Sequence, residues 1–391
     1  MSGQAKMFDA VIVGAGIVGA TLAALLGREG KRIALVEART PTIFDIDAPF
    51  DLRVSAINRA SQLAFQGVGA WEAMLAKRAH AYDAMCVWDE AGTGEIRFEA
   101  NEVGLPSLGH IIENKAIQAS LLEAVDSYET VSVLCPSRVV SVDAAQKQVI
   151  TLDSGEQLIA PLLVGADGPS SMVRALAGID QSREDYGQKG LVTVIKTEYG
   201  HQDTAWQRFL ASGPLALLPL HSGYSSIVWS LPSDQADRYL KTPIAEFCRL
   251  LSEASAHRLG AVLEVGERAA FPLLGSQASA YIRSGVALVG DAAHTIHPLA
   301  GQGVNLGIKD AVVLAEVLST LSPRDWGSYK QLRRYERARQ GENVLAMKAM
   351  EGFSVLFGHN AQLVKLARNT GLNVFNSMPR VKQQIMQHAM G

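Results

Sequence analysis

The sequence predicts an α/β protein in which an antiparallel sheet is inserted into a domain built on a parallel sheet. Short apolar runs at Ala10–Val13 and Ile33–Val36 flank a helical stretch at 16–27, and this strand–helix–strand order is typical of parallel strand pairing. A third apolar run, Leu162–Gly165, extends the same pattern. Residues from about 181 to 268 instead alternate apolar and polar side chains between turn signals, which is typical of an antiparallel sheet.

The parallel pattern resumes near Val286, and from about Ala311 the sequence is mostly helical to its end. No internal repeat or low-complexity segment stands out. The changes of pattern predict four parts: 1–180, the first part of the parallel domain, with a small segment near 80–110 on the substrate side; 181–268, the inserted sheet; 269–340, the second part of the parallel domain; and 341–391, C-terminal helices.

Composition and charge exclude several classes of protein. The chain has 391 residues, 48% of them hydrophobic and 19% charged, which is ordinary for a folded protein of more than one domain. Its formal net charge is -3 and its pI about 6.3, so no basic field favours nucleic-acid binding. Cys86, Cys135 and Cys248 lack metal-ligand spacing, so we predict buried, reduced thiols and no metal site.

The apolar segment 11–27 has the hydropathy of a signal-peptide core or a membrane span. It nevertheless contains Gly14, Gly16 and Gly19, lacks a preceding basic region, and runs directly into charged Arg28 and Glu29. It is also short for a membrane-spanning helix. We therefore predict a cytoplasmic protein for which any membrane contact is peripheral.

The first chemical motif is the glycine-rich turn between the first strand and the first helix. Gly14, Gly16 and Gly19 permit a tight turn and let a pyrophosphate approach the helix N-terminus closely. Glu37, at the end of the second strand, is placed to accept hydrogen bonds from an adenosine ribose. Because an acidic side chain suits a free 2′-hydroxyl, the motif favours FAD or NAD over NADP.

The second motif is another turn that follows an apolar strand. Leu162–Gly165 leads into Asp167-Gly168, and Arg174 follows one turn into the next helix. An Asp-Gly pair by itself is more often only a turn. The motif gains weight from its similarity in layout to the other two.

The third motif begins at Gly290-Asp291, again after an apolar strand. A turn containing Pro298 and Gly301 follows, and a new helix opens at about Gly303. A simple helix cap would need one polar residue rather than this combination. The motif therefore predicts a site where a carboxylate and free backbone N–H groups surround a polyol-linked, anionic ring.

In this order and spacing, the three motifs resemble those of the class A flavoprotein aromatic hydroxylases over nearly the whole chain. Further stretches resemble the ubiquinone-biosynthesis hydroxylases of that class: residues 51–58, 112–118, 216–219, 227–229, 294–305 and 333–337. Val87-Trp88-Asp89 and the C-terminal residues 379–391 look most like the branch that hydroxylates a 2-polyprenylphenol at ring carbon 5. Branches that act on neighbouring carbons share the same scaffold.

The resemblance implies a Rossmann-like FAD-binding domain of the p-hydroxybenzoate hydroxylase type, with an inserted antiparallel substrate domain and a helical C-terminus. In such a protein Gly14, Gly16, Gly19 and Glu37 would hold the ADP half of FAD. The remaining cofactor contacts implied by the resemblance are Arg53, Gln118, Asp167, Arg174, Asp291, Gly301, Gly303, Val304 and Asn305. Asp291 would bind the ribityl chain, and the helix from Gly303 would point its N–H groups at the flavin N1–O2 edge.

The resemblance also implies a reaction. The chain has no second glycine-rich strand–helix unit, so NAD(P)H would bind transiently and leave after hydride transfer. O2 would then add at flavin C4a, and the hydroperoxide would hydroxylate an electron-rich phenol in dry surroundings. Pro298 and Leu299 would form the wall on the substrate side. His294 and His297 would lie near the ring, where they could assist phenol deprotonation or only hold the turn.

Other residues have a structural and a functional interpretation. Leu217 and Trp229 are predicted to belong to the core of the inserted sheet and also to line the substrate pocket. The charge run at 333–337 predicts a solvated helical face. The C-terminal region from Leu345 to Met390 predicts helices packed on the flavin domain, with docking to a membrane or a ubiquinone-biosynthesis complex as the alternative.

Three functions remain open from the sequence. The leading one is an FAD-dependent, NAD(P)H- and O2-consuming monooxygenase that acts on a prenylated phenol of ubiquinone biosynthesis at ring carbon 5. The same chemistry at ring carbon 6 or 1, or on a soluble aromatic, is the second. A non-catalytic FAD-binding partner of a biosynthetic complex is the third, although intact motifs at Asp167 and Asp291 disfavour it.

Overall fold

The computed structural model describes residues 5–90, 92, 94–144, 147–296, 303–358, 378, 382–383 and 386. Within these residues the chain forms four sheets and a set of helices around them. The α-helices are Ile17–Arg28, Arg59–Gly67, Trp71–Leu75, Asn114–Asp126, Met172–Leu176, Ser233–Lys241, Ile244–Ala254, Gly303–Ser319 and Tyr329–Gly358. Short 3-10 turns lie at Ala100–Val103, His221–Gly223, Gly290–Ala292 and Pro323–Asp325.

The parallel sheet confirms the predicted α/β class. Its strands lie in the order Ile282–Arg283, Val286–Leu288, Leu162–Gly165, Ala10–Val13, Ile33–Val36 and Val131–Leu134, and only the first pair is antiparallel. Both faces are packed against other elements, so its inner strands are apolar and buried at every position rather than alternating. This burial on both faces explains why short continuous apolar runs revealed these strands in the sequence.

A larger sheet of nine strands forms the inserted part. Its order is His294–Thr295, Ala269–Ala278, Gln181–Thr197, Tyr224–Pro232, Gly213–Pro219, Thr204–Leu210, Ala84–Asp89 and Glu95–Glu99, and Val262–Val265 also pairs with Gln181–Thr197. The pairing of Thr204–Leu210 with Ala84–Asp89 is parallel, and the other pairs are antiparallel.

The insertion is longer than predicted. Strand Ala269–Ala278 pairs antiparallel with Gln181–Thr197, so the predicted boundary at 268 is wrong and the inserted sheet continues to 278. The alternation that marks the strand is weak there, because Pro272 and Gly275 interrupt it. The segment near 80–110 contributes two strands to this sheet.

The two faces of the large sheet pack against different partners. One, here called the far face, packs against helices Ser233–Lys241 and Ile244–Ala254. The other, the near face, packs towards a three-stranded sheet of Val54–Ile57, Gly109–Glu113 and His80–Tyr82. Ile57 and Ile112 of the three-stranded sheet belong to the core of the parallel-sheet domain, so the near face is the one that meets that domain.

A four-stranded sheet and the C-terminus complete the described structure. The sheet has the order Lys6–Met7, Gln157–Ala160, Gln148–Leu152 and Val139–Ala144. Most of the predicted C-terminal region after Gly358 lies outside the described residues. Lys382, however, places its Nζ 2.8 Å from Glu102 Oε1, so that part of the C-terminus touches the segment near 80–110.

Two sequence predictions concern exposure. Cys86 is buried as predicted, but Cys135 and Cys248 are partly exposed. No helix in the described part of the chain combines the length and hydropathy needed to cross a membrane.

Candidate active site

Four neighbouring parallel strands bring the predicted cofactor residues to one edge of the sheet. Val286–Leu288, Leu162–Gly165, Ala10–Val13 and Ile33–Val36 lie side by side, and Gly165 is in register with both Val13 and Leu288. Their carboxyl ends therefore meet at the same edge, as ligand sites of open α/β sheets do. The three motifs, far apart in sequence, form one site there.

The glycine-rich turn has two different kinds of glycine. Gly14 has φ of +103°, and a Cβ on it would lie 2.4 Å from the carbonyl oxygen of Ala166, so the fold itself requires glycine. A Cβ on Gly19 would lie 1.9 Å from the oxygen of Gly14. By contrast, a Cβ on Gly16 would meet no atom within 4 Å. Gly16 thus borders open space at a helix N-terminus, which suits a pyrophosphate.

Two side chains hold this turn in place. Glu37 Oε2 accepts from Ala15 N at 2.8 Å, and Gln118 Nε2 donates to Ala15 O at 2.8 Å. Gln118 belongs to helix Asn114–Asp126, so a third element fixes the turn. Glu37 and Gln118, both predicted to contact the cofactor, therefore lie at the site and bond the N–H and the carbonyl group of the same turn residue.

Asp167 and Arg174 mainly stabilise the turns next to them. The Asp167 carboxylate accepts from Ser171 Oγ and from the backbone N–H groups of Met172 and Val173, so it caps helix Met172–Leu176. The buried guanidinium of Arg174 donates to Ala292 O at 2.8 Å and to Pro169 O at 2.9 Å. Arg174 therefore ties the second motif to the third.

Asp291 lies in the 3-10 turn Gly290–Ala292 of the third motif. Its side chain is accessible to solvent, but the protein surrounding it desolvates the carboxyl group and raises its pKa. The charges of His294 and Arg53 oppose that rise, and Asp310 adds to it. Asp291 and Arg53 are thus brought together although 238 positions separate them in the sequence, and they suit a ligand that carries both hydroxyl and phosphate groups.

The helix Gly303–Ser319 begins at this edge. A Cβ on Gly303 would meet no atom within 4 Å, so the first turn has open space beside it. Amides of a first helical turn have no acceptor within their own helix. The side chain of Asn305 is bonded within the protein: its Nδ2 donates to Ala56 O at 2.7 Å, and its Oδ1 accepts from Ser61 Oγ at 2.8 Å. Its side chain fixes the helix start, while Val304 packs on the core.

A buried polar network supports the third turn from behind. Asp310 is fully buried, and its Oδ2 accepts from Gly290 N at 3.0 Å and lies 2.6 Å from His294 Nε2. Its Oδ1 accepts from Arg339 Nε at 2.7 Å and from Asn343 Nδ2 at 3.2 Å. His294 and Arg339 hold the pKa of Asp310 below its usual range, although burial acts in the opposite direction. The network joins the turn to two helices.

His294 therefore belongs to the support of the turn. Its ring is 3% exposed and stacks on Tyr281, with centroids 5.8 Å apart. Of the two roles that the sequence left open for it, this geometry favours holding the turn. His297, Pro298, Leu299 and Gly301 lie outside the described residues.

Sequence reasoning missed Asp310, Arg339 and Asn343. A signal was present, because the inward residues of helix Tyr329–Gly358 recur at helical spacing: Leu332, Tyr335, Glu336, Arg339 and Asn343 are all buried. Glu336, predicted to lie on a solvated face, accepts from Tyr281 N at 3.0 Å and is 9% exposed. That part of the charge-run prediction is wrong.

The pocket prediction for Leu217 and Trp229 is corrected by the structure. Both are buried, as predicted for core residues, but they belong to the far-face cluster with Tyr239 and Phe247. Neighbours in a strand point to opposite faces, so the near face carries other residues. These include Val194, Ala205, Ala216, Leu218 and Val228.

One cluster has the composition of a metal site. Ligand atoms of His80, His201 and Asp203 all lie within 4.8 Å of one another. Both nitrogens of His201 are already used, since Nδ1 accepts from Asp203 N at 3.0 Å and Nε2 bonds Leu220 O at 3.0 Å. This bonding makes the cluster a link between two sheets rather than a ready metal site.

Comparisons with known proteins agree with this geometry. A family model described as an FAD binding domain matches residues 7–349. A 3-demethoxyubiquinol 3-hydroxylase of Escherichia coli is 36% identical over 98% of this chain and 98% of its own, and a ubiquinone hydroxylase UbiL of Rhodospirillum rubrum is 33% identical over 99% and 90%. The p-nitrophenol 4-monooxygenase PnpA of Pseudomonas putida has the same fold, with a TM-score of 0.80, 18% identity and 99% of both chains covered.

The fold and the site define a flavoprotein: an FAD-dependent aromatic-ring monooxygenase of the p-hydroxybenzoate hydroxylase type, which uses NAD(P)H as co-substrate. More narrowly, the chain belongs to the FAD-binding family of class A aromatic hydroxylases, in the group of the ubiquinone-biosynthesis hydroxylases.

Proposed function

We propose that the protein hydroxylates the aromatic ring of a polyprenylated phenol in ubiquinone biosynthesis, at ring carbon 5, with NAD(P)H and O2. The observation that carries the proposal is the single edge of the parallel sheet at which all three cofactor motifs meet. The names of relatives 36% and 33% identical to the chain support the ubiquinone pathway.

Bound FAD supplies the chemistry, since its reduced ring activates O2 for transfer to a phenol. The chain's own residues bind and orient it. Gly16 and the first turn of helix Gly303–Ser319 offer open N–H groups to anionic parts of the cofactor, and Asp291 accepts hydroxyl groups. Asp310 holds the Gly290–Asp291 turn, so that these groups stay aligned while charge develops.

Val228 is a partly exposed side chain of the near-face cluster and would offer an apolar contact to the substrate, whereas Ala216 and Leu218 are 4% and 2% exposed and are buried within the cluster. An apolar contact excludes water, which would otherwise release peroxide without hydroxylation. It also suits a ring that carries an isoprenoid tail.

The ring position has two candidates. Carbon 5 is favoured by the resemblance of Val87-Trp88-Asp89 and of residues 379–391 to the corresponding branch. Hydroxylation of a demethoxyubiquinol is the second candidate, because the Escherichia coli relative carries that name. Both reactions would use the same flavin edge, and the position would depend on how the near face orients the ring.

A product assay separates these candidates. The FAD-loaded protein is incubated with NADPH or NADH, O2 and either a 2-polyprenylphenol or a demethoxyubiquinol, and products are identified by mass spectrometry. Hydroxylation of the 2-polyprenylphenol at carbon 5 supports the first candidate. Turnover of only the demethoxyubiquinol supports the second. Consumption of NAD(P)H with release of peroxide and no hydroxylated product from either substrate would refute both.

A further inference from the structure

A long connection without helix or strand, residues 38–53, links two parts of the cofactor site. It begins directly after Glu37 and ends at Arg53, whose charge acts on Asp291. Connections of this length without regular structure are uncommon in compact domains and are often functional. Ile43 is 89% exposed and Ile46 is 52% exposed, while Phe44 and Phe50 are partly buried against the core, so only some of the apolar side chains of this loop hold it in place.

One side chain from outside the loop fixes its course. Arg78 donates from Nη1 to Ala48 O at 2.8 Å, and its guanidinium lies 5.3 Å and 4.6 Å from the ring centroids of Phe44 and Phe50. Stacking on two aromatic rings and a hydrogen bond to the main chain are contacts that a planar guanidinium makes well. Arg78 thus contacts the loop at three residues, Phe44, Ala48 and Phe50.

Glu113 holds both Arg78 and the end of the loop. Its Oε1 lies 3.1 Å from Arg78 Nη2 and accepts from Asp51 N at 2.7 Å. The two side chains are only 11% and 3% exposed, so loss of either partner leaves a charge with little access to water. The next residue, Asn114, donates from its backbone N to Arg53 O at 2.9 Å, so the end of the loop is also held at Arg53.

The same loop also reaches the inserted sheet. Phe50 packs on Tyr224 of strand Tyr224–Pro232, with ring centroids 5.6 Å apart. The loop therefore connects Tyr224 of the near face with Arg53, whose charge acts on Asp291.

We propose that Arg78 and Glu113 are positioning residues that hold loop 38–53 in the form that presents Arg53 to FAD, and so set the affinity for FAD. This inference rests on the FAD site alone and is independent of the substrate and ring position proposed above. Neither side chain needs to touch the cofactor, because both act through the loop.

The test compares Arg78→Ala with Lys77→Ala. Lys77 is the adjacent residue and forms a similar pair, 2.8 Å from Glu123, but none of its contacts reaches the loop. Two quantities are measured on FAD-free protein: the Kd for FAD by fluorescence titration, and the rate of trypsin cleavage after Arg39 and Arg53. We expect Arg78→Ala to raise both at least about 10-fold, equivalent to about 1.4 kcal/mol in binding, and Lys77→Ala to change neither by more than about twofold.

Two further variants keep the test decisive. Arg78→Lys retains the charge but loses the planar fork, and Glu113→Gln retains the shape but loses the charge, so both should raise Kd and cleavage by intermediate factors. They decide the matter if Arg78→Ala does not fold. The proposal is overturned if the Kd and the cleavage rate of Arg78→Ala match those of Lys77→Ala, even if Arg78→Ala is thermally less stable. If Arg78→Ala does not fold, the same comparison is made with Arg78→Lys and Glu113→Gln.

Discussion

The carboxyl edge of the parallel sheet and the large inserted sheet differ in how much each could be inferred from sequence. At the edge, each motif follows its strand directly, so Gly14, Asp167 and Asp291 meet wherever the strands meet. In the inserted sheet, shifting the assignment by one residue transfers a side chain to the opposite face. Leu217, predicted to belong to the core and also to line the pocket, lies in the far-face cluster, while Ala216 and Leu218 lie on the near face.

The difference teaches where function resides in each region. Turns at the edge need a particular backbone conformation and particular polar side chains, and both can be recognised in the sequence. Gly14, with a φ of +103°, is an example of the first. An apolar sheet face requires only volume and hydrophobicity, which both faces of this sheet share. The first region can be tested by changing single groups, and the second by comparing neighbours on opposite faces.

The largest expected effect is the loss of Asp310. Asp310→Ala would remove the buried carboxylate that pairs with both Arg339 and His294 and would leave Arg339 only the half-exposed Glu342, so we expect a loss of about 3–5 kcal/mol of unfolding free energy. Urea unfolding measures it. Asp9→Ala, which breaks the exposed pair with Arg32, serves as control and should cost less than about 1 kcal/mol. A loss below about 1 kcal/mol for Asp310→Ala would contradict the supporting role of the network.

The two faces are compared with Leu217→Ala and Val228→Ala. Leu217 is 2% exposed in the far-face core, so its truncation should cost about 2–5 kcal/mol of stability without changing the KM for the phenol. Val228 lies on the near face, and its truncation should change KM at least about threefold at a stability cost near 1 kcal/mol. A larger KM change for Leu217→Ala would mean that the faces are assigned wrongly.

His110 gives a pH dependence. Burial, together with the charges of His80 and Arg59, lowers the pKa of His110 to about 4, from 6.5. Between these pH values His110 is protonated in the unfolded chain but not in the folded chain. The free energy of unfolding therefore falls as the pH drops from about 6.5 towards 4, by at most about 3 kcal/mol. His110→Gln should remove this part of the slope in urea unfolding at pH 7.5, 5.5 and 4.5. Parallel pH curves for the two proteins would disprove it.

The smallest effect on stability is expected at Gly16. Gly16→Ala adds a Cβ that meets no protein atom, so the FAD-free protein should lose less than about 0.5 kcal/mol, while the Kd for FAD rises about 10-fold, or about 1.4 kcal/mol. Gly14→Ala should instead lower the stability of the FAD-free protein, because its Cβ meets Ala166 O at 2.4 Å. Equal Kd values for wild type and Gly16→Ala would show that this space is not occupied by the cofactor.

Much of the fold followed from local patterns, and the exceptions have a common cause. The βαβ unit, the return of the parallel strand at Leu162–Gly165 and the inserted sheet were all predicted, because periodicity and turn residues are local properties. Strand Ala269–Ala278 was assigned to the wrong part, since pairing with Gln181–Thr197 is a choice between distant segments. Asp310 and Arg339 were missed for the same reason: each looks like an ordinary surface charge until its partner is placed beside it.

By itself the sequence indicated three turns that suit a dinucleotide, and its resemblance to the class A hydroxylases implied the class of protein and FAD. The turns depend on a backbone shape that favours glycine, as at Gly14, and on carboxylates placed directly after buried strands, so a few neighbouring residues are enough to indicate each of them. The tertiary structure alone decided which face of the inserted sheet meets the flavin domain, that His294 lies against Asp310, and that Arg78 and Glu113 hold loop 38–53. These depend on contacts across tens to hundreds of residues, where burial converts an ordinary charge into a fixed support.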